Sequence, residues 1–121
     1  MPHDRQRFGS SGEAQARDFL VELGYVVVAE NWHAGRYGEL DLVALDAGTL
    51  VFVEVKTRRG VGFGRPEEAV NTAKQAKLRL AAEAFRLAHP QLPQEFRFDV
   101  VAISGGVDSA PYVDHFRGAF C

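Results

Sequence analysis

The chain is poor in the features that mark stapled, membrane-embedded or polyanion-coating proteins. Its one cysteine, Cys121, stands at the last of 121 positions. No intrachain disulfide can form, and a reducing compartment is the natural setting. No apolar run approaches the roughly 20 residues of a membrane span. The charged opening Met1-Pro2-His3-Asp4-Arg5-Gln6-Arg7 is not followed by the apolar segment of a secretory signal. Together these absences predict a cytoplasmic protein. Excess charge is missing too: 14 Lys and Arg against 16 Asp and Glu leave a net charge of −2 and a pI of about 6.1, which excludes coating nucleic acid through bulk charge. There is no Ser/His/Asp or Cys/His arrangement and no glycine loop with phosphate-binding spacing. Without a repeat or a composition break, residues 1–121 read as one domain, with 1–9 and 117–121 as the segments least tied down.

What is present is an ordinary globular composition, 46% hydrophobic and 25% charged. Ala16, Phe19, Leu20 and Leu23 recur at helical spacing, Ser10 stands three before Glu13 as in a capping box, and Gly24 suits a helix C-terminus. A helix is predicted over about 11–23. Tyr25-Val26-Val27-Val28-Ala29 reads as a buried strand, followed by a polar connection from Asn31-Trp32-His33 to Gly38. Two further strands, 39–45 and 50–56, flank Asp46-Ala47-Gly48-Thr49, a hairpin turn with Gly48 available for positive φ. After the glycines at 60, 62 and 64, Pro66 can open a helical turn. Thr72 and Gln75 resemble the cap of a helix reaching about Ala88, with Leu78, Ala81, Ala82, Phe85 and Ala88 as its buried stripe. Phe96 to Ile103 is a strand, and Tyr112 to Phe116 fits an edge strand. The order is α, three strands, α, then one or two strands.

The hairpin carries the chemistry. With Ala47-Gly48 as a two-residue loop, cross-strand partners have numbers summing to 95, so Asp41 falls opposite Glu54 and Glu39 opposite Lys56. Apolar residues on both faces of Leu50-Val51-Phe52-Val53 mark a central strand buried on both sides. Opposed carboxylates there repel, and a divalent cation removes the conflict: Mg²⁺ or Mn²⁺ takes oxygen ligands, which Asp41 and Glu54 can supply. Lys56 then stands one pleat away, able to hold a water or a phosphate. The competing interpretation is a set of solvated strand-end ion pairs, Glu54–Lys56 and Glu39–Lys56.

Gly38-Glu39-Leu40-Asp41-Leu42-Val43-Ala44 followed by Val51-Phe52-Val53-Glu54-Val55-Lys56-Thr57-Arg58 resembles the YraN family of small bacterial proteins, which belongs with the PD-(D/E)XK restriction-endonuclease-like superfamily. The likeness extends through Gly12-Glu13, Asn31-Trp32, Arg97-Phe98-Asp99-Val100-Val101 and Ala119-Phe120. It implies an α/β fold with an αβββαβ core, a central mixed sheet flanked by helices, similar to archaeal Holliday junction resolvases. It also implies Asp41, Glu54 and Lys56 in the catalytic positions and Glu13 in the acid position of the first helix. The proline of the Pro-Asp signature is absent, since Leu40 precedes Asp41.

The remaining candidates follow the site. Lys56, Arg58, Arg59, Arg65, Lys74, Lys77 and Arg79 against Glu67 and Glu68 give positions 56–79 a local balance of +5. Arg58, Arg59 and Arg65, with Gln75 and Lys77 at the start of the long helix, are the expected DNA-backbone contacts. Glu13 is alternatively the capping partner of Ser10. His33 is expected to pack or cap, Trp32 to serve as core or lid, and Asp99 to be a buried acid paired with an arginine, Arg97 or one on a helix. The expected activity is a metal-dependent phosphodiesterase acting on DNA, branched or structured DNA by analogy with the resolvases. The alternative is a non-catalytic nucleic-acid or protein interaction module. A domain this small is expected to grip its substrate with a second copy of itself or a protein partner.

Overall fold

The chain is described by a computed structural model over residues 2–59, 70–105 and 112–121, with side chains over 12–57, 70–105 and 112–121. Five strands lie in sequence order: β1 (Val26–His33), β2 (Glu39–Asp46), β3 (Thr49–Arg59), β4 (Phe96–Gly105) and β5 (Tyr112–Phe120). All neighbours are antiparallel except β3 and β4, which run parallel from Leu50↔Phe96 to Arg59↔Gly105. A parallel pair needs a crossover, and α2 (Thr72–Ala88) supplies it. With α1 (Pro2–Glu22) this makes the α/β architecture, a mixed sheet with a helix on each face, that the sequence predicts.

The two cores follow from strand alternation. Leu50, Phe52, Phe98 and Val100 face α2 and pack on Leu78, Ala81, Ala82 and Phe85. Val51, Val53, Val101 and Ile103 face α1 and pack on Ala16 and Leu20. β3 is thus buried on both faces over Leu50–Glu54, as its apolar run predicts. Fully burying side chains of the size of Phe52 and Phe85 contributes about 1.5–3 kcal/mol each.

Several boundaries differ from the sequence expectation. α1 begins at Pro2 rather than near residue 11, so Ser10 lies inside the helix and cannot act as its N-cap. β1 is an edge strand with Val26 and Val28 exposed, because a continuous apolar run does not say how many neighbours a strand has. It also extends through Asn31-Trp32-His33, and residues 34–38, with a 3₁₀ turn at Gly35–Tyr37, separate it from β2. The cap of α2 is Asn71, whose side chain accepts the Lys74 amide at 2.8 Å, rather than Thr72. Ala88 is exposed at the helix end. In the β2–β3 turn the positive φ falls on Ala47, at 54°, as at the first central position of a type II′ turn, and not on Gly48. The helical turn expected at Pro66 lies outside the described residues.

Candidate functional site

The hairpin register is the one the two-residue loop dictates, from Asp46↔Thr49 to Leu42↔Val53. The ladder stops there, so Asp41–Glu54 and Glu39–Lys56 do not form ladder pairs. The cause is a change of face within β2. Leu40 and Leu42 are two apart and should share a face, yet Leu40 packs in the core of α2 and Leu42 in the core of α1. Across from this point in β1, between the pairs Glu30↔Leu42 and Trp32↔Leu40, Asn31 has a left-handed backbone with φ 49°. Asparagine tolerates that conformation better than most residues. Asp41 is thereby turned toward β3, where its Oδ2 accepts the Val55 amide at 2.9 Å in place of a backbone carbonyl.

Asp41 is the hub of two groups of acids. On one side it meets Glu54, which is 6% exposed and faces the α2 side of the sheet. Burial, then the Asp41 charge, push the Glu54 carboxyl up to about 7, against the opposing pull of Lys74 and Lys56. On the other side, ligand oxygens of Asp41, Glu39 and Glu13 all lie within 4.8 Å of one another. Burial and the Asp41 charge raise the Glu13 carboxyl as well, while a hydrogen bond from Asn31 lowers it. Glu13 reaches this point because Gly12 lets α1 sit directly on β3. A Cβ at Gly12 would run into the Thr57 methyl.

The other predicted residues take varied places. Lys56 Nζ lies 3.6 Å from Glu54 Oε2, and Glu39 faces His33 Nδ1 at 3.5 Å. His33 is highly exposed, so it neither packs nor caps. Trp32 is part of the core, edge-on to Phe85. Gln75 Nε2 donates to the Val70 carbonyl at 2.8 Å, and Lys77 is exposed. Arg58 and Arg59 end β3, where their side chains lie outside the described residues, as Arg65 does entirely. Asp99 is fully buried and accepts from Arg97 Nε at 2.9 Å, as the sequence predicts. His115 Nε2 at 2.7 Å and the Gly118 amide at 2.9 Å complete its shell. This cluster ties β5 to the sheet, and Arg97 carries it on to Tyr25 and Asp46 near the hairpin turn.

Sequence reasoning missed two members of the site. Asn31 supports Glu13, and its signal is an asparagine, which tolerates a left-handed backbone, just after the β-branched run Val26-Val27-Val28. Lys74 Nζ stands 3.7 Å from Glu54 Oε2, a contact made by the crossover helix that no local pattern announces.

Comparison with known proteins extends the likeness over most of the chain. Residues 12–103 match the model of "Uncharacterised protein family UPF0102". A UPF0102 protein of Nocardia farcinica is 48% identical over 97% of this chain and 91% of its own length. One of Rhodococcus opacus is 46% identical over 93% and 94%, and one of Symbiobacterium thermophilum 47% identical over 85% and 86%. With the whole sheet up to Ile103 inside the matched region and relatives covered nearly end to end, the chain belongs to the UPF0102 family, the YraN family to which its hairpin motifs point.

Proposed function

We propose that this protein is a metal-dependent phosphodiesterase acting on DNA, with Asp41, Glu54, Lys56 and Glu13 as its working residues. The observation that carries the reading is the turning of Asp41 toward β3. It makes Asp41 common to two groups at the open end of the hairpin, a buried glutamate with its lysine on one side and two further acids on the other. A solvated strand end would leave Glu54 exposed, whereas here it is enclosed beside a second carboxylate. Gathering several acids around one buried carboxylate is costly even with two lysines beside it, and a bound cation would offset that cost.

The donor set fits Mg²⁺ or Mn²⁺. An octahedral ion with ligands at about 2.1 Å holds opposite oxygens about 4.2 Å apart. Of three oxygens on one ion at most one pair can be opposite and the others stand about 3 Å apart, so the Glu13, Glu39 and Asp41 oxygens, within 4.8 Å of one another, would draw together by side-chain rotation to hold it. Asp41 would be the shared ligand, with Glu54 on one side and Glu13 and Glu39 on the other. When bound, the ion supplies Lewis-acid polarisation of the scissile phosphoryl group. Lys56, held by Glu54, orients the attacking water and offsets charge developing on the phosphate. Asn31 holds Glu13 in place, and the Val55 amide fixes Asp41. Branched or structured DNA is the proposed substrate, by analogy with the resolvases that share the fold class.

The test is purified protein with Mg²⁺ or Mn²⁺ on linear, nicked, flap and four-way DNA. Asp41→Ala and Lys56→Ala are each expected to lower the cleavage rate by roughly a hundredfold or more. Cleavage that survives both substitutions overturns the assignment. Wild-type protein that fails to bind Mn²⁺ even with DNA present identifies an interaction module instead.

A further inference from the structure

α2 opens with a residue that its own helix disfavours. Lys74 stands three after the N-cap Asn71, the position where glutamate completes a capping box, and the first turn holds no acidic residue. A cation there opposes the helix dipole. A locally unfavourable choice that is kept has its reason elsewhere in the fold.

The reason lies on the sheet face that α2 covers. Lys74 Nζ is 3.7 Å from Glu54 Oε2, the same oxygen that Lys56 Nζ approaches to 3.6 Å. One carboxylate oxygen thus sits between two ammonium groups from different elements. A single negative charge needs only one of them. Asp41, beside Glu54, takes its described hydrogen bond from the Val55 amide instead. Lys74 is 42% exposed on a four-carbon stem, so it can turn away from Glu54 without disturbing the core.

We propose that Lys74 is a second phosphate-holding cation of the site. In the metal-free protein it occupies the position of a cation on Glu54. With a divalent ion bound it is released to a non-bridging oxygen of the substrate phosphodiester. This rests on the metallonuclease reading above and adds to it a residue from the crossover helix. The site then spans three elements, with acids from α1 and the hairpin and the second ammonium from α2. Lys56 and Lys74 divide the work: Lys56 adjoins the reacting centre from β3, and Lys74 grips the chain from outside.

Lys74→Met keeps the helix and removes the charge, and Lys74→Arg restores it. Mn²⁺ affinity is measured by calorimetry at pH 8.5 without DNA, beside cleavage of the best DNA substrate. Lys74→Met is expected to bind Mn²⁺ roughly threefold to tenfold more tightly, because a competing cation is gone. It is expected to lose roughly tenfold to a hundredfold in kcat/KM, mostly through KM, as for one lost charge-assisted contact. Lys74→Arg recovers most of the kcat/KM. A purely structural role would leave the Mn²⁺ affinity where it was. If wild type cleaves and Lys74→Met matches it in both measurements, the role of Lys74 is overturned and the nuclease reading stands. If wild type neither binds Mn²⁺ nor cleaves, both fall.

Discussion

Glu54 is the residue on which stability and the proposed metal site pull in opposite directions. Its carboxyl is raised from an ordinary 4.5 to about 7, first by burial and then by Asp41. A group whose proton is held more tightly in the folded than in the unfolded state stabilises the fold fully below the unfolded value. That contribution is lost as pH rises through the folded value. The metal-free protein therefore loses stability from Glu54 between about pH 4.5 and 7. Glu54→Gln, which mimics the protonated side chain, is expected to unfold later than wild type at pH 8 in EDTA, by on the order of 1–3 kcal/mol. The advantage should vanish near pH 4. Equal urea midpoints at both pH values would show that Glu54 is not under this strain. The acid, the lysine two residues on and the hairpin loop were all legible in the sequence, because their relation depends on a two-residue turn. The turning of Asp41 toward β3 was not. It arises from a face change paired with the left-handed Asn31 on the neighbouring strand, and alternation rules assume that no such change occurs.

At the scale of elements, the seating of α1 on β3 decides whether the first-helix acid arrives. Gly12 and Thr57 touch so closely that no side chain fits at 12, and the obstacle is one methyl group. Gly12→Ala is expected to lift the helix by a fraction of an ångström and displace Glu13, lowering Mn²⁺ affinity about tenfold. That is the usual effect of disturbing groups that orient ligands. It should leave overall stability within about 1–2 kcal/mol, because alanine favours the helix while the displaced packing opposes it. Thr57→Ser removes the obstructing methyl, so the double variant should regain the metal affinity. A double variant no better than Gly12→Ala would show that the close approach does not position Glu13. Helix and strand content were readable from periodicity. The edge position of β1 and the start of α1 at Pro2 were not, since both depend on neighbours that local pattern does not record. Asp99 is an intermediate case. Its partner Arg97 is two residues away and could be named in advance, whereas His115 and Gly118 come from β5 and could not.

At the scale of the whole molecule, charge is arranged rather than accumulated. The chain as a whole is slightly acidic, and its cations gather between Lys56 and Arg79. Of those seven, Arg79 is engaged with the Cys121 carbonyl at 2.8 Å, which leaves at most six for phosphate, and that number is reached only if Lys56 and Lys74 leave Glu54. Each neutralised phosphate contributes about −0.9 to the slope of log K against log salt, so one copy on duplex DNA should show a slope no steeper than about −5. Fluorescence anisotropy in EDTA between 50 and 200 mM salt would measure it. A slope near −10 would mean that a second copy or a partner widens the footprint. No described helix is long and apolar enough to cross a membrane.

The parallel junction of β3 and β4 also sets the order in which the molecule comes together. The β2–β3 hairpin closes around two residues, an event of about 1–10 μs in isolated hairpins. β4 can join only after the intervening chain and α2 have crossed the sheet, and non-local pairing of that kind is slow. Asp41 and Glu54 belong to the early hairpin, and Lys74 rides on the late crossover. On that order the hairpin's acids would be gathered before Lys74, one of their counter-charges, arrives. A divalent cation present during folding would favour that gathering, so the proposed metal would also help assemble the site.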